Sequence, residues 1–162
     1  MNTKQLWYAL IKNVETESYF DGVFSIDLLQ SISVQPKLII CNTDPSFEKG
    51  EHWVLFFFPE NNIAEFYDPL GRSLNFYDKE FGEFISKYSD KYMLSSVRTQ
   101  PYNSNLCGEY CLYYALNRCK GKSMDEIIKS IPSSDKVVSF VETNFCICTN
   151  SKCSLLQECK KQ

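Results

Sequence analysis

From Trp53 to Phe58 the chain reads Trp53-Val54-Leu55-Phe56-Phe57-Phe58, a nearly continuous aromatic and β-branched run. Such a run fits a strand buried on both faces. Asn61-Asn62 is a turn signal, and Ile63 to Tyr67 reads as the next strand, closed by Asp68-Pro69-Leu70-Gly71. Two strands and a short loop suggest a hairpin. A hairpin around Asn61-Asn62 brings residues near 52 and residues near 70 to the same end of the sheet. His52, the single histidine of the chain, then sits at a strand end beside that of Asp68.

The elements around this hairpin follow from local pattern. Residues 3–14 carry apolar positions at Leu6, Ala9, Leu10 and Val14, which is helical spacing. Leu38 to Cys41 reads as a strand ending in the turn-prone Asn42-Thr43-Asp44-Pro45. Asp78 to Tyr88 looks helical, with Phe81, Phe84, Ile85 and Tyr88 on one face, and Tyr92 to Thr99 reads as a strand. Cys107 to Cys119 is a strong helix pattern that Gly121 would stop. Ser123-Met124-Asp125-Glu126 has the form of a capping box opening a short helix, and residues 135–145 suggest a last one. The order α, β, β, β, α, β, α, α is a mixed α+β pattern rather than regular βαβ. With no repeat or linker in sight, residues 1–162 are expected to form one domain.

Composition narrows the function classes. Seventeen basic against twenty acidic residues give a net charge of −3, so there is no general electrostatic case for nucleic-acid binding. The N-terminal residues carry no basic stretch followed by a long apolar run, so no secretory signal is visible. The longest apolar stretch is far too short to span a bilayer. The expectation is a soluble, intracellular, monomeric protein. Its eight cysteines are then read as mostly reduced.

The residues that carry chemistry lie in a fixed order: His52, Asp68, Gln100, Cys107. A free cysteine is mostly thiol at neutral pH, with a pKa of roughly 8.5. A nearby imidazolium and a helix N-terminus both favour the thiolate. Cys107 opens a predicted helix, and His52 could supply the imidazolium, then protonate a leaving amine. Asp68 is suited to orient the imidazole through its other nitrogen. Glu65, mid-strand, and Glu51, adjacent to His52, are weaker candidates for that task. The Cys107 N–H and the Gln100 side-chain amide could hold an oxyanion, and Gly108 leaves the backbone open where a substrate carbonyl approaches. Each residue alone has a plainer reading as a turn, loop or core residue. The four in one workable order point to a cysteine peptidase.

At these residues the chain resembles the adenovirus maturation protease family, adenain. That motif has Gln, a seven-residue step, then Cys-Gly-x-x-Cys with Asn-Ser between, and Gln100, Asn103-Ser104, Cys107-Gly108 and Cys111 fit it. Tyr19-Phe20-x-Gly22-x-Phe24, Asn42-Thr43 followed by Gly50-Glu51-His52-Trp53, and Asp68-Pro69-Leu70-Gly71 are similar to further family segments. The likeness runs from about residue 5 to about residue 120. Peptidases that release SUMO and similar modifiers share His-Trp, Asp, Gln and Cys, with a Gln–Cys step one residue shorter.

The resemblance implies a papain-like α+β fold of the adenain and ubiquitin-like-protease type, a central mixed sheet flanked by helices. It implies His52 as base, Asp68 as its partner, Gln100 in the oxyanion hole, Cys107 as nucleophile, and Trp53 walling a narrow channel suited to glycine. It also implies a protein substrate, such as a capsid or polyprotein precursor of a virus or virus-like transposon. The site would then be the cytoplasm or nucleus of a host cell, or a virion. The same chemistry would serve an isopeptidase acting on ubiquitin or a ubiquitin-like conjugate, and a protease-like binding module without turnover is the non-enzyme reading. No cofactor is expected. Adenain uses DNA and a short peptide as activators, and the acidic balance of this chain does not favour the DNA.

Cys146, Cys148, Cys153 and Cys159 make a cysteine-rich tail from about residue 146. Their spacing fits structural zinc knuckles poorly, so no metal is expected. Reduced cysteines or an oxidant-driven disulfide are the readings there. Cys111 reads as core on the helix of Cys107, and Cys41 and Cys119 carry no functional argument.

Overall fold

The structure, a computed structural model, describes residues 1–145 and 147 of the 162. The cysteine-rich tail, with Cys146, Cys148, Cys153 and Cys159, lies outside the described residues. The elements are α1 (Thr3–Lys12), β1 (Phe20–Ser25), a 3₁₀ turn (Ile26–Ser31), β2 (Leu38–Asn42), β3 (Trp53–Phe57) and β4 (Ile63–Tyr67). A second 3₁₀ turn (Leu74–Phe76) follows, then α2 (Glu80–Tyr88), β5 (Lys91–Leu94), α3 (Cys107–Cys119), α4 (Met124–Ser130) and α5 (Ser134–Asn144).

The five strands form one sheet in the order β1-β2-β3-β4-β5. The outer pairs β1–β2 and β4–β5 are parallel, and the inner pairs β2–β3 and β3–β4 are antiparallel. With helices on both faces, the architecture is α+β with a mixed central sheet, as the sequence suggests.

Strand periodicity decides which face each side chain serves. Leu38, Ile40, Trp53, Leu55, Phe57 and Tyr67 face α1, α3, α4 and α5. Ile39, Cys41, Val54, Phe56, Phe58 and Phe66 face α2 and the 3₁₀ turn. Every residue of β2 and β3 is buried, which is the physical content of their unbroken apolar runs. Between β3 and β4, Asn62 takes φ 58°, a left-handed conformation that Asn tolerates, and its neighbour Asn61 accepts from the Ile63 N–H at 3.1 Å.

Helix α3 is the central element of its layer. Ten of its residues, from Cys107 to Asn117, are buried, so it is covered nearly all round. It ends as Gly121 predicts. Gly121 sits at φ 87°, its N–H reaches the Arg118 carbonyl at 3.0 Å, and the Lys122 N–H reaches Asn117 at 3.2 Å. The capping box at Ser123 and Glu126 forms and opens α4.

Three readings from local pattern need correction. The sequence gives no strand at 20–25, yet β1 forms there by parallel pairing with β2. Its burial is mixed, so it lacks the alternation that would announce it. Helix α1 stops at Lys12: Asn13 is extended, donates to the Asn144 carbonyl at 3.0 Å, and leaves Val14 exposed. The strand expected at 92–99 spans only Lys91–Leu94.

Glu65 points inward from β4 and is 4% exposed. It accepts two bonds at 2.9 Å from Arg118 and one at 2.8 Å from the Tyr114 hydroxyl, all from α3. The Arg118 guanidinium also lies 4.7 Å from the centre of the Phe57 ring. Glu65 is thus committed to holding the far end of α3 on the sheet and is not a partner of His52. Removing one member of such a pair strands a largely buried charge. Glu65→Ala should cost about 3 kcal/mol of unfolding free energy in a urea titration, whereas Glu51→Ala, on an exposed residue, should be nearly silent.

Candidate active site

The site forms where the hairpin end meets the start of α3. In the β3–β4 ladder Leu55 pairs with Tyr67, so continuing the register sets Asp68 opposite Val54, close to His52. The segment before His52 is fixed as well. The Thr43 N–H donates to the His52 carbonyl at 3.0 Å, and Asp44 accepts from the Glu51 N–H at 2.6 Å. Gly50 lies under the Asn42 side chain, and a Cβ there would fall 2.1 Å from its Nδ2. This close approach accounts for the glycine two residues before the histidine.

His52 Nε2 meets Asp68 Oδ1 at 2.6 Å, with both side chains nearly excluded from solvent. That leaves Nδ1 for the Cys107 sulfur, which interacts with the ring and favours its protonated form. Asp68 has no solvent exposure and is fully partnered. Besides His52 it accepts from the Leu70 N–H at 2.8 Å, the Arg72 N–H at 3.1 Å and the Tyr77 hydroxyl at 2.7 Å. Its pKa is lowered: burial works against the charge, but the bonds from His52, Tyr77 and Leu70 outweigh burial. Burial also opposes protonation of His52, yet Asp68 and Cys107 carry its pKa from 6.5 up to about 9.

Cys107 is the first residue of α3 and is buried. Leu106 occupies the N-cap position without a side-chain cap. Among the described residues no side-chain cap from Leu106 covers the first N–H groups of the helix, and their positive end lies at Cys107. Gln100 is buried, and it reaches the chain three residues before Cys107. Its Nε2 donates to the Ser104 carbonyl at 2.6 Å, which uses one of two amide hydrogens and folds the loop 101–106 back on itself.

The position of Gln100 is inherited from the Asp68 turn. The N–H groups of Thr99 and Gln100 both donate to the Pro69 carbonyl, at 3.0 and 2.9 Å. The Thr99 hydroxyl also meets the Tyr67 hydroxyl at 2.8 Å, and the Tyr67 ring stacks on Tyr114 of α3. Gly71 has φ 68°, and a Cβ there would come within 2.7 Å of the Arg98 backbone nitrogen. Only glycine lets the turn pack against the strand of chain that delivers Gln100.

Trp53 is 8% exposed, and its indole N–H donates to the Met1 carbonyl at 3.1 Å. The space a side chain at Gly108 would need is taken by Met1 and Leu6. Glycine there lets Met1 pack directly against the start of α3, with Leu6 of α1 in ordinary contact. A cleft of about 390 Å³ runs from Trp53 between Met1 and the loop of Asp44 and Gly50, with Val23 and Leu28 on its wall. The structure therefore pairs His52 with Asp68 and sets Cys107 to act on the same ring. It holds Gln100 through the Asp68 turn and the loop that leads to Cys107, and packs Trp53 and Gly108 against Met1. Tyr77 was not legible in the sequence, because it lies in a short irregular loop with no periodicity to mark it. Among the described residues no cluster of three or more His, Cys, Asp or Glu could hold a metal, and no helix is long and apolar enough to cross a membrane.

No protein-family model matches the chain, and no curated protein matches its sequence. Solved structures do. The selenomethionine crystal structure of the ASFV pS273R protease matches at a TM-score of 0.60 and 16% identity, over 91% of this chain and 68% of that one. The central domain of the uncharacterized Lpg1148 protein from Legionella pneumophila matches at a TM-score of 0.49 and 12% identity, over 88% and 92%. The first match shows a shared fold, and the mixed sheet flanked by helices is consistent with the papain-like, ubiquitin-like-protease type.

The histidine shift has a consequence for stability. A folded-state pKa near 9 against an ordinary 6.5 means that the pair stabilises the fold fully below about pH 6.5. That stabilisation is lost as pH rises through about 9. The difference in Tm between wild type and His52→Gln should therefore be largest in mildly acidic buffer and should shrink steadily toward pH 9 and above.

Proposed function

We propose that this chain is a cysteine peptidase of the adenain and ubiquitin-like-protease type, acting on protein substrates. The observation that carries the reading is the buried Asp68–His52 pair facing a cysteine at an uncapped helix start. The shared fold with a protease supports it.

The geometry suits acyl transfer. A proton held by His52 leaves Cys107 as thiolate, beside an imidazolium and the positive end of α3. The thiolate attacks the scissile carbonyl carbon, and the carbonyl electrons move to oxygen. The Cys107 N–H and the remaining Gln100 amide hydrogen stabilise that oxyanion. His52 gives its proton to the leaving amine as the C–N bond breaks, and a thioester remains on Cys107. A water, giving a proton to His52, then adds to the thioester carbonyl; the C–S bond breaks, the carboxylic acid product leaves, and the thiolate–imidazolium pair is restored.

The seven-residue Gln100–Cys107 step favours the adenovirus side of this group, and so a capsid or polyprotein precursor cut beside glycine. We assign Trp53 to the wall of the channel that admits those small residues.

Cleavage of a peptide library rich in Gly-Gly-x and Gly-x-Gly sequences tests the reading. Cys107→Ala should abolish turnover, Gln100→Ala should slow it by a hundredfold or more, on the order of 3 kcal/mol, and Cys111→Ser should retain most of it. Undiminished cleavage by Cys107→Ala would overturn the assignment. Efficient reaction with ubiquitin or SUMO vinyl-sulfone probes, without cleavage of precursor peptides, would move the substrate to modifier conjugates.

A further inference from the structure

The hydrogen bonds at Asp68 extend beyond His52, the one partner of it that the peptidase reading uses. Each carboxylate oxygen has two donors. Oδ1 takes His52 and the Leu70 N–H, and Oδ2 takes the Tyr77 hydroxyl and the Arg72 N–H. Of the two donors on Oδ2, Tyr77 is the shorter, at 2.7 Å against 3.1 Å. The phenol is held from both ends. Its ring packs edge-on against Phe66, Phe76 and Phe81, with centroids 5.1 to 6.0 Å away. The Arg72 side chain is near enough to interact with the phenol. The Arg72 guanidinium lies 4.3 Å from the centre of the Phe76 ring, next door in the chain.

We propose that Tyr77 is a positioning residue for the reaction: its hydroxyl, backed by the Arg72 side chain, fixes the plane and the ionised state of Asp68 so that Oδ1 stays aimed at His52. The ring contacts alone do not account for tyrosine, since phenylalanine would make them equally. The hydroxyl is the part that reaches the carboxylate. Burial and the Asp68 charge push the phenol well above its ordinary value, so the oxygen keeps its proton and remains a donor across the working range. The charged and titratable groups that act on this cluster are His52 and Cys107 on one side and Arg72 on the other, with the buried Tyr67 and Cys111 within the field of Asp68.

The single histidine makes the test direct. The imidazole NMR signals of His52 report the protonation of Asp68 as an acid-side inflection, with no need for turnover. Loss of one bond to a charged acceptor should move that inflection upward by about one pH unit in Tyr77→Phe. Arg72→Met should move it in the same direction by less. The kinetic arm rests on the peptidase reading: kcat should fall about tenfold with KM unchanged, and the acid limb of the kcat profile should shift with the inflection. An unmoved inflection in a folded Tyr77→Phe overturns the proposal. If Tyr77→Phe loses its near-UV circular dichroism, an unmoved inflection in Arg72→Met overturns it instead. Retained cleavage by Cys107→Ala would sink the peptidase reading alone, because the NMR arm still decides the role of Tyr77.

Discussion

A carboxylate with no contact with water is expensive to keep charged, and Asp68 is such a group. The surrounding structure is arranged around that cost. Four donors converge on it from the turn that it opens, from the hairpin's other strand end and from the loop before α2. The same turn, through the Pro69 carbonyl, holds Thr99 and Gln100. Histidine, acid and glutamine are therefore not three independent placements. Fixing the Asp68 turn fixes the other two.

Cys107 arrives by a separate route. Helix α3 is buried along most of its length and is tied at its far end by Glu65 to Arg118 and Tyr114. With that end pinned and the α1 side closed by Met1 and Leu6 over Gly108, the N-terminus has little freedom of position. The first residue then meets His52 at a set place, with no side-chain cap from Leu106 competing for the helix-end donors. Two rigid supports, one in the sheet and one in the helix layer, thus converge on the sulfur.

What could be read from the sequence is what physics writes locally. The doubly buried β3, the Asn61-Asn62 turn, the Gly121 stop and the Ser123 capping box each leave a short-range signature, and each forms. The order of His52, Asp68, Gln100 and Cys107 was legible because hairpin register and one helix start are enough to suggest that they meet. Other features depend on partners far along the chain. Strand β1 exists because β2 accepts it in parallel, and the Glu65–Arg118 pair spans 53 positions. Tyr77 becomes informative only once its hydroxyl is seen on Asp68. The reasons for Gly50 and Gly71 are likewise steric contacts with Asn42 and with the backbone near Arg98, which no local pattern contains.

The central claim is that His52 stands as an imidazolium between a buried carboxylate and the sulfur of Cys107. A pH titration of the ¹⁵N-labelled imidazole, followed by NMR on the otherwise histidine-free chain, measures this directly. The account predicts both ring nitrogens protonated at pH 8 and deprotonation centred near about 9. A neutral ring at pH 8, titrating at or below the ordinary 6.5, would contradict it.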